Sequence, residues 1–439
     1  MKPPFLPVQL LDVELTQPMP SILGHDSASG RRYHRAWILV RLHNQPLGMV
    51  FLSLQDNVLC SSQCASSVWD ALGPVINAHL RADGLQELAC LPEAGLNSAS
   101  VCSVDRDRQR FWLVAPFVSV VVCTRDRLSH LSNCLRSILS LNYPAYEVIV
   151  VDNAPKTSAT ADYVRDLARL KPNLRYVCEK SPGLALARNC GLRNARGEII
   201  AYLDDDEVAD PNWLIELARG FQQAVNAVCV TGLILPIELE TEEQCWLEEF
   251  GGLNKGRGFL RQCFSLQSPP PSDHFYPYLA SRFGSGGNMA FKVDAIRQLG
   301  GFDPALGAGT LTGSAEDTEL FFRVVTNGYT LVFEPSAIVR HSHRTEYAGL
   351  RRQIQSYGIG FTAYLTKVFL DKPSRLIELI SKAPKGISYL LDPRSPRNEK
   401  KGGSYPADLT ISELLGMLWG PFAYLASCLR LRKSRNTVN

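Results

Sequence analysis

Three apolar runs rich in β-branched residues constrain this chain most: VSVVV at 118–122, EVIVV at 147–151 and EIIAYL at 198–203. Each is continuous rather than alternating, the pattern of strands buried on both faces of a parallel sheet that helices cover. Helical stretches separate them. LSHLSNCLRSILSLNYP carries Leu131, Leu135, Ile138 and Leu139 at helical spacing, with Pro144 beyond its end. A helix over 158–170, a short strand LRYV and a helix GLALARNCGLRNA precede the third run. Strands alternating with helices predict an α/β fold: a mostly parallel sheet with right-handed crossovers and helices on both faces.

Such sheets bind ligands at the carboxyl ends of their strands. The first run ends in Cys123, Thr124, Arg125 and Asp126, the second in Asp152 and Asn153, and the third in Asp204, Asp205, Asp206 and Glu207. Asp210 and Pro211 follow, with Asp210 expected to cap the next helix and Pro211 to open it. Four adjacent carboxylates repel one another, so the run is either a solvated turn or the seat of a cation. Hard divalent ions take oxygen ligands, and Mg²⁺ is commonly held by one or two carboxylates together with substrate phosphates. The position after the first run reads CTRDRL, which excludes the glycine fingerprint of dinucleotide-binding folds. The phosphate loop of nucleotide hydrolases is absent as well.

Taken in order, VSVVVCTRDR, EVIVVDNA, GLALARNCGLRNARGEIIAYLDDDEVADPNWL and SAEDTELFFRV resemble the family 2 glycosyltransferases of GT-A fold, over roughly 117–345. The resemblance implies a Rossmann-like catalytic domain that uses a nucleoside-diphosphate sugar and a divalent metal, Mg²⁺ or Mn²⁺, and inverts the anomeric centre. It points to Thr124, Arg125 and Asp152 for the base and ribose. Arg188 then lies near the nucleotide, either on the diphosphate or bracing the acidic loop. In the family's Asp-x-Asp motif the first Asp approaches the ribose and the last binds the metal, which maps to Asp204 and Asp206, with Asp204 a candidate metal ligand as well and Asp205 between them a candidate contact to the nucleotide sugar. The family places its base in the Glu-Asp pair, here Glu316 and Asp317: Asp317 would be the base and Glu316 would position it or the acceptor. On their own these are ordinary helix-start acids. Some relatives carry a histidine ligand after a later strand, which makes His341, or less directly His343, a candidate. The glycine-rich FGSGGNMAF (283–291) resembles a stretch that lines the family's donor–acceptor cleft.

The 439 residues with a net charge of +3 and 45% hydrophobic content describe an ordinary globular chain with no reason to bind nucleic acid. Residues 1–112 form an expected α+β accessory domain, with a hairpin around HNQPLG and a helix near SSVWDALGPVINAHL, but no chemical motif. The catalytic domain is expected over 113–345, interrupted by an acceptor-facing insertion at 235–282 whose Trp246 either stacks on a sugar or packs in the core. A C-terminal helical region follows over 346–439. Its segment LTISELLGMLWGPFAYLASCLRLRKSR combines an apolar run, Leu414–Leu429, with a basic end. The segment reads either as a peripheral helix on the inner face of a membrane or as a helix packed on the domain. A saccharide or lipid-linked acceptor would follow. No signal peptide or clear membrane span is expected, and the twelve cysteines are expected to be reduced core thiols of a cytoplasmic protein. The rival activities are sugar-nucleotide nucleotidyl transfer and a non-catalytic carbohydrate-binding scaffold with a vestigial site.

Overall fold

The computed structural model describes residues 5–26, 30–54, 58–96, 103–270, 273–395, 397–399, 401 and 405–438. The chain divides into two compact units. The N-terminal unit comprises 1–114 and takes back 236–245 and 257–260 from the insertion; the remaining residues form the larger unit.

In the N-terminal unit, β1 (Val8–Glu14), β3 (Arg35–Leu42) and β4 (Gln45–Ser53) form one sheet in the order β1-β3-β4. Two short strands, β2 (Ile22–Leu23) and β5 (Val58–Leu59), pair separately. The hairpin expected around HNQPLG is present and tight. His43 and Asn44 form its turn with φ of 55° and 60°, the two positive values of a turn that matches strand twist. Helix α1 (Ser61–Ala82) lays Cys64, Val68, Ile76 and Leu80 against Val13, Ile38 and Val40, and α2 (Ser103–Trp112) ends the segment.

The larger unit is built on β6 (Val118–Thr124), β7 (Tyr146–Asn153), β8 (Leu174–Glu179) and β9 (Ile199–Asp204). These run parallel in the spatial order β9-β6-β7-β8. Every residue of β6 is buried, which is why that strand reads as an unbroken apolar run. Helices α3 (Leu128–Ile138), α4 (Ala159–Ala168) and α5 (Leu184–Asn194) make the crossovers. Beyond β9 the sheet turns antiparallel. β10 (Glu207–Ala209), α6 (Trp213–Gly220), β11 (Ala227–Pro236), α7 (Glu242–Glu249), β12 (Gln262–Phe264), β13 (Asn288–Lys292), α8 (Val293–Gln298), α9 (Glu316–Thr326) and β14 (Thr330–His341) complete it. β13 pairs β9, β11 pairs β13, and β14 pairs both β10 and β12. Asn288 locks this half from inside. It accepts from the buried Trp213 indole (2.8 Å) and donates to the carbonyls of Leu233 and Ala337 (3.0 and 2.8 Å). A side chain at Gly232 would collide with that amide, since an added Cβ would lie 2.3 Å from its nitrogen.

Several local expectations change. α6 starts at Trp213 after Asn212, two residues later than expected: Asp210 closes an Asx turn onto the Asn212 amide (3.0 Å) instead of capping the helix. The last strand runs through Pro335 to His341, so His341 is its final residue rather than part of a following loop. Cys60, Cys90, Cys178 and Cys263 are exposed, so the thiols are not all in the core. Trp246 is partly buried edge-on against Tyr347, beside Leu247 and Leu350, and is a packing residue.

The C-terminal helices α10 (Tyr347–Asp371), α11 (Arg375–Leu391) and α12 (Ala407–Val438) belong to the larger unit. α10 and α12 meet through glycines. Cβ atoms at Gly358, Gly416 and Gly420 would lie 2.0–2.4 Å from atoms of the opposite helix, so these positions set how closely the two approach. Leu409, Ala423 and Tyr424 of α12 are buried, whereas Ile411, Leu415, Leu418, Trp419, Phe422, Leu425 and Leu429 form an exposed stripe on its other side. The helix continues through Pro421, and Ala407–Lys433 is long and apolar enough to cross a membrane by length and composition.

Candidate active site

The acidic run is a reverse turn between β9 and β10, and its four side chains go to four different places. Asp204, half-exposed, accepts from the Arg188 guanidinium at 3.0 Å. Asp205 is buried and points back under the sheet edge, accepting from the Thr124 hydroxyl (2.7 Å) and Arg127 (2.5 Å). Burial pushes its carboxyl up to about 7, against the pull of Arg127. Asp206 accepts from the second nitrogen of the same guanidinium at 2.8 Å and faces the Nε2 of His341 at 3.6 Å. Burial would raise the Asp206 carboxyl, but His341 when protonated and Arg127 outweigh it, and the group sits below the usual carboxylate range. Glu207 folds in and accepts from the Asp204 amide (3.1 Å) through one oxygen, while the other is buried with no partner. Burial and the neighbouring aspartates hold its carboxyl well above the usual range. The repulsion expected of four adjacent carboxylates is thus relieved by two arginines and by the raised Glu207.

Arg188 is 2% exposed and joins the turn to the start of α9. One nitrogen of its guanidinium donates to Glu316 (2.7 Å), and the other to Asp204 and to the Gly286 carbonyl (both 3.0 Å). The same Gly286 gives its amide to Asp317 at 2.6 Å, and the Thr318 amide donates to the other Asp317 oxygen at 2.6 Å. A Cβ at Gly286 would stand 2.8 Å from the Arg188 guanidinium and 3.0 Å from Asp317, so this backbone fits only without a side chain. The two α9 acids are therefore distinct. Glu316 is buried in an ion pair, and burial raises it to about 7, whereas Asp317 is only partly buried and held by backbone amides.

His341 lies opposite Glu207 in the β10–β14 pairing. Its Nδ1 meets the Nδ1 of His343 at 2.8 Å, and His343 Nε2 meets Glu248 of α7 at 2.7 Å. Glu248 fixes a proton on His343 Nε2, so His343 accepts at Nδ1 and His341 donates from Nδ1. That tautomer leaves a lone pair on His341 Nε2, facing the Asp206 carboxylate. Burial lowers His341 to about 4, so the ring is neutral at physiological pH. Two electron-rich atoms facing each other is an arrangement that a cation between them satisfies. Asp206 and His341 are thus the residues suited to hold a metal.

At the neighbouring strand ends, Asp152 is fully buried. It accepts from the Tyr176 hydroxyl (3.1 Å) through one oxygen, and the other has no partner. Arg125 is exposed; Arg127, two residues on, is the guanidinium that meets the acidic turn. Asp126 (φ 53°), Ala154 (φ 47°) and Ala315 (φ 79°) adopt left-handed backbone at the ends of β6 and β7 and at the start of α9. Strain of this kind gathers where function demands a particular chain path. Arg127 and Glu248 carry no signal in a single sequence, because their partners lie 78 to 95 residues away.

Residues 119–300 match the family described as Glycosyl transferase family 2. These residues form a family 2 glycosyltransferase domain. The curated relatives agree. The glucosyl-dolichyl phosphate glucuronosyltransferase of Haloferax volcanii is 27% identical over 241 residues, covering 52% of this chain and 71% of the relative. The pre-mycofactocin glycosyltransferase of Mycobacterium tuberculosis is 26% identical over 261 residues, covering 59% of this chain and 50% of the relative. The second match thus spans half of that relative's length. Among solved structures, the mannosyltransferase PcManGT from Pyrobaculum calidifontis in complex with GDP-Man and Mn²⁺ is similar at 19% identity and TM-score 0.42, covering 75% of this chain and 81% of that one. Sugar transfer is thus the class of reaction that the matched domain supports.

Proposed function

We propose that the larger unit transfers a sugar from a nucleoside-diphosphate sugar to an acceptor hydroxyl, with inversion and with a divalent cation held by Asp206 and His341. The observation that carries this reading is the Arg188 bridge, which ties the acidic turn to the helix start bearing Asp317. Donor and acceptor chemistry then share one rigid frame. Asp152 offers its unpartnered oxygen to the base or ribose, with Arg125 and the Thr124 edge beside it, and Asp204 faces the ribose. Asp205, expected on the nucleotide sugar, and Arg188, expected either on the diphosphate or bracing the loop, serve in this reading as the frame that aims Asp204 and Asp206. Asp317 takes the proton of the acceptor hydroxyl while that oxygen forms its bond to the anomeric carbon, and the bond to the diphosphate oxygen breaks on the opposite face. When bound, Mg²⁺ or Mn²⁺ supplies Lewis-acid stabilisation of the departing diphosphate. Asp317 is the base rather than Glu316 because it keeps solvent access, whereas Glu316 is committed to Arg188.

The acceptor is lipid-linked in this reading, and α12 rests in a membrane interface at the inner, cytoplasmic face. The Haloferax relative is named for a lipid-phosphate-linked substrate, and the exposed apolar stripe of α12 ends in the exposed Arg430, Arg432 and Lys433. An apolar face beside basic residues is the pattern of a helix lying on an anionic leaflet. The close packing of α12 on α10 favours lying on the surface over leaving the unit to cross. Replacing Leu418 and Trp419 together with Glu should abolish sedimentation with anionic vesicles while leaving turnover on a water-soluble acceptor intact; unchanged sedimentation would refute the interfacial helix.

A further inference from the structure

The N-terminal unit carries no chemical motif in its sequence, yet it contains the most convergent set of metal-type donors among the described residues. His43 Nδ1, His79 Nε2 and Asp83 Oδ2 form a triangle with edges of 2.9 Å (His43–Asp83), 3.2 Å (His43–His79) and 3.3 Å (His79–Asp83). Among the described residues it is the one place where three such atoms lie within 4.8 Å of one another. From these positions we infer that the N-terminal unit binds a divalent transition metal ion, of which Zn²⁺ is the best fit, through His43, His79 and Asp83.

Three arguments support the site. The first is geometric. Zinc bonds of about 2.0–2.2 Å to nitrogen and oxygen in tetrahedral arrangement place neighbouring ligand atoms about 3.3 Å apart, close to the observed edges. One face of a tetrahedron is formed, and the fourth position is left for water. The second is a proton count. Hydrogen bonds along all three edges would need three protons aimed along them. Each ring nitrogen carries at most one and can aim it along a single edge, and an ionised Asp83 carries none. With both rings donating to Asp83, the two nitrogens still sit 3.2 Å apart with no acceptor between them. A cation at the centre satisfies all three atoms together. The donor set, two imidazoles and a carboxylate, suits zinc and its neighbours rather than Mg²⁺ or Ca²⁺.

The third argument is that the surroundings fix each ligand. His79 and Asp83 are four residues apart at the end of α1, so they share one helix face. His43 reaches them from the hairpin turn, where its left-handed backbone is held by Glu14, which accepts from the amides of His43 and Asn44 (2.9 and 2.8 Å). Arg108 of α2 donates to the His43 carbonyl at 2.8 Å, and Ser103 donates to the second oxygen of Asp83. All three ligand side chains are at most 10% exposed. Outer partners thus hold the His43 backbone and the Asp83 carboxylate, and partners that orient ligands are a mark of built metal sites. The ion would staple the β3–β4 turn to the end of α1.

The test uses the full-length protein stripped with a chelator and dialysed. Zn²⁺ should bind at one ion per chain by isothermal titration in the absence of nucleotide, and should raise the melting temperature. His79→Gln and His43→Gln should each weaken that binding by more than about 100-fold, beyond the 10–100-fold that follows loss of an outer partner. Asp206→Asn should leave it unchanged. Co²⁺ added to the stripped wild-type protein should give the intense visible bands of a four-coordinate site, a reading that needs no variant to fold. The inference is overturned if those bands are absent, if both His variants bind zinc as tightly as the wild-type protein, or if Asp206→Asn abolishes the binding instead.

Discussion

At the sheet edge, Asp204, Asp205 and Asp206 each answer to an arginine, and Asp206 also faces a histidine; in the N-terminal unit, His43, His79 and Asp83 answer to one another. The difference lies in what completes each site. The acidic turn presents two suitable atoms, Asp206 Oδ1 and His341 Nε2, 3.6 Å apart, and holds Asp204 and Asp205 in ion pairs. Such a site needs substrate phosphates to finish a coordination shell, so metal and donor should bind together. The histidine triangle offers three ligands from the protein alone, so it should hold its ion whether or not substrate is present. One arrangement suits turnover, the other permanence.

The largest expected effect falls on the frame that makes the acidic turn dependent on arginine. Arg188→Ala strands the buried Glu316 and frees Asp204, and should cost about 3–5 kcal/mol of stability, read by chemical denaturation, together with all measurable transfer. Arg188→Lys should recover stability in part but not activity, because an ammonium cannot span Glu316, Asp204 and the Gly286 carbonyl as a guanidinium fork does. Near-wild-type stability of the alanine variant would show that the carboxylates are not arginine-dependent. Asp317→Asn should lower turnover by about 10²–10⁴-fold, with nucleoside-diphosphate affinity unchanged. A variant that turns over normally would move the base elsewhere. Chelation should separate the two regions: Zn²⁺ returned to stripped protein should restore the melting temperature, whereas transfer should return only with Mg²⁺ or Mn²⁺. Restoration of both properties by one ion at one stoichiometry would merge the two sites into one. The smallest effect concerns backbone strain. Ala315→Gly relieves a left-handed alanine at the start of α9 and should stabilise the protein by about 0.5–1 kcal/mol. Destabilisation would mean that the alanine methyl contributes packing that outweighs the strain.

Much of this arrangement is legible in the sequence where local pattern and position coincide. The buried runs ending at Thr124, Asp152 and Asp204 mark the sheet edge, since burial on both faces forces continuous apolar residues and the parallel arrangement forces ligands to their ends. That the acidic side chains diverge is legible as well, because a turn after a buried strand must send neighbouring side chains in different directions, whereas the partner of each is not. What the sequence hides is long-range. Arg188 reads equally as a phosphate contact or as a brace until Glu316, 128 residues away, is seen against it. Arg127 and Arg125 are indistinguishable without the turn that exposes one and folds the other inward. Glu248 lies in an insertion whose composition suggests only a loop. The histidine triangle is hidden for the same reason: a hairpin tip and a helix end, 36 residues apart, have no common motif until the unit folds. The helix at Trp213 begins later than expected because Asp210 spends its side chain on an Asx turn, a local competition that residue type cannot decide.

Isothermal titration of UDP and GDP, with and without Mn²⁺, into wild-type protein and Asp206→Asn addresses the central claim most directly. In wild type, the nucleotide that binds should do so more tightly with Mn²⁺. In the variant the metal-dependent gain should disappear while the metal-free affinity persists. If Asp206→Asn keeps the full gain, the acidic turn is not the metal–diphosphate site.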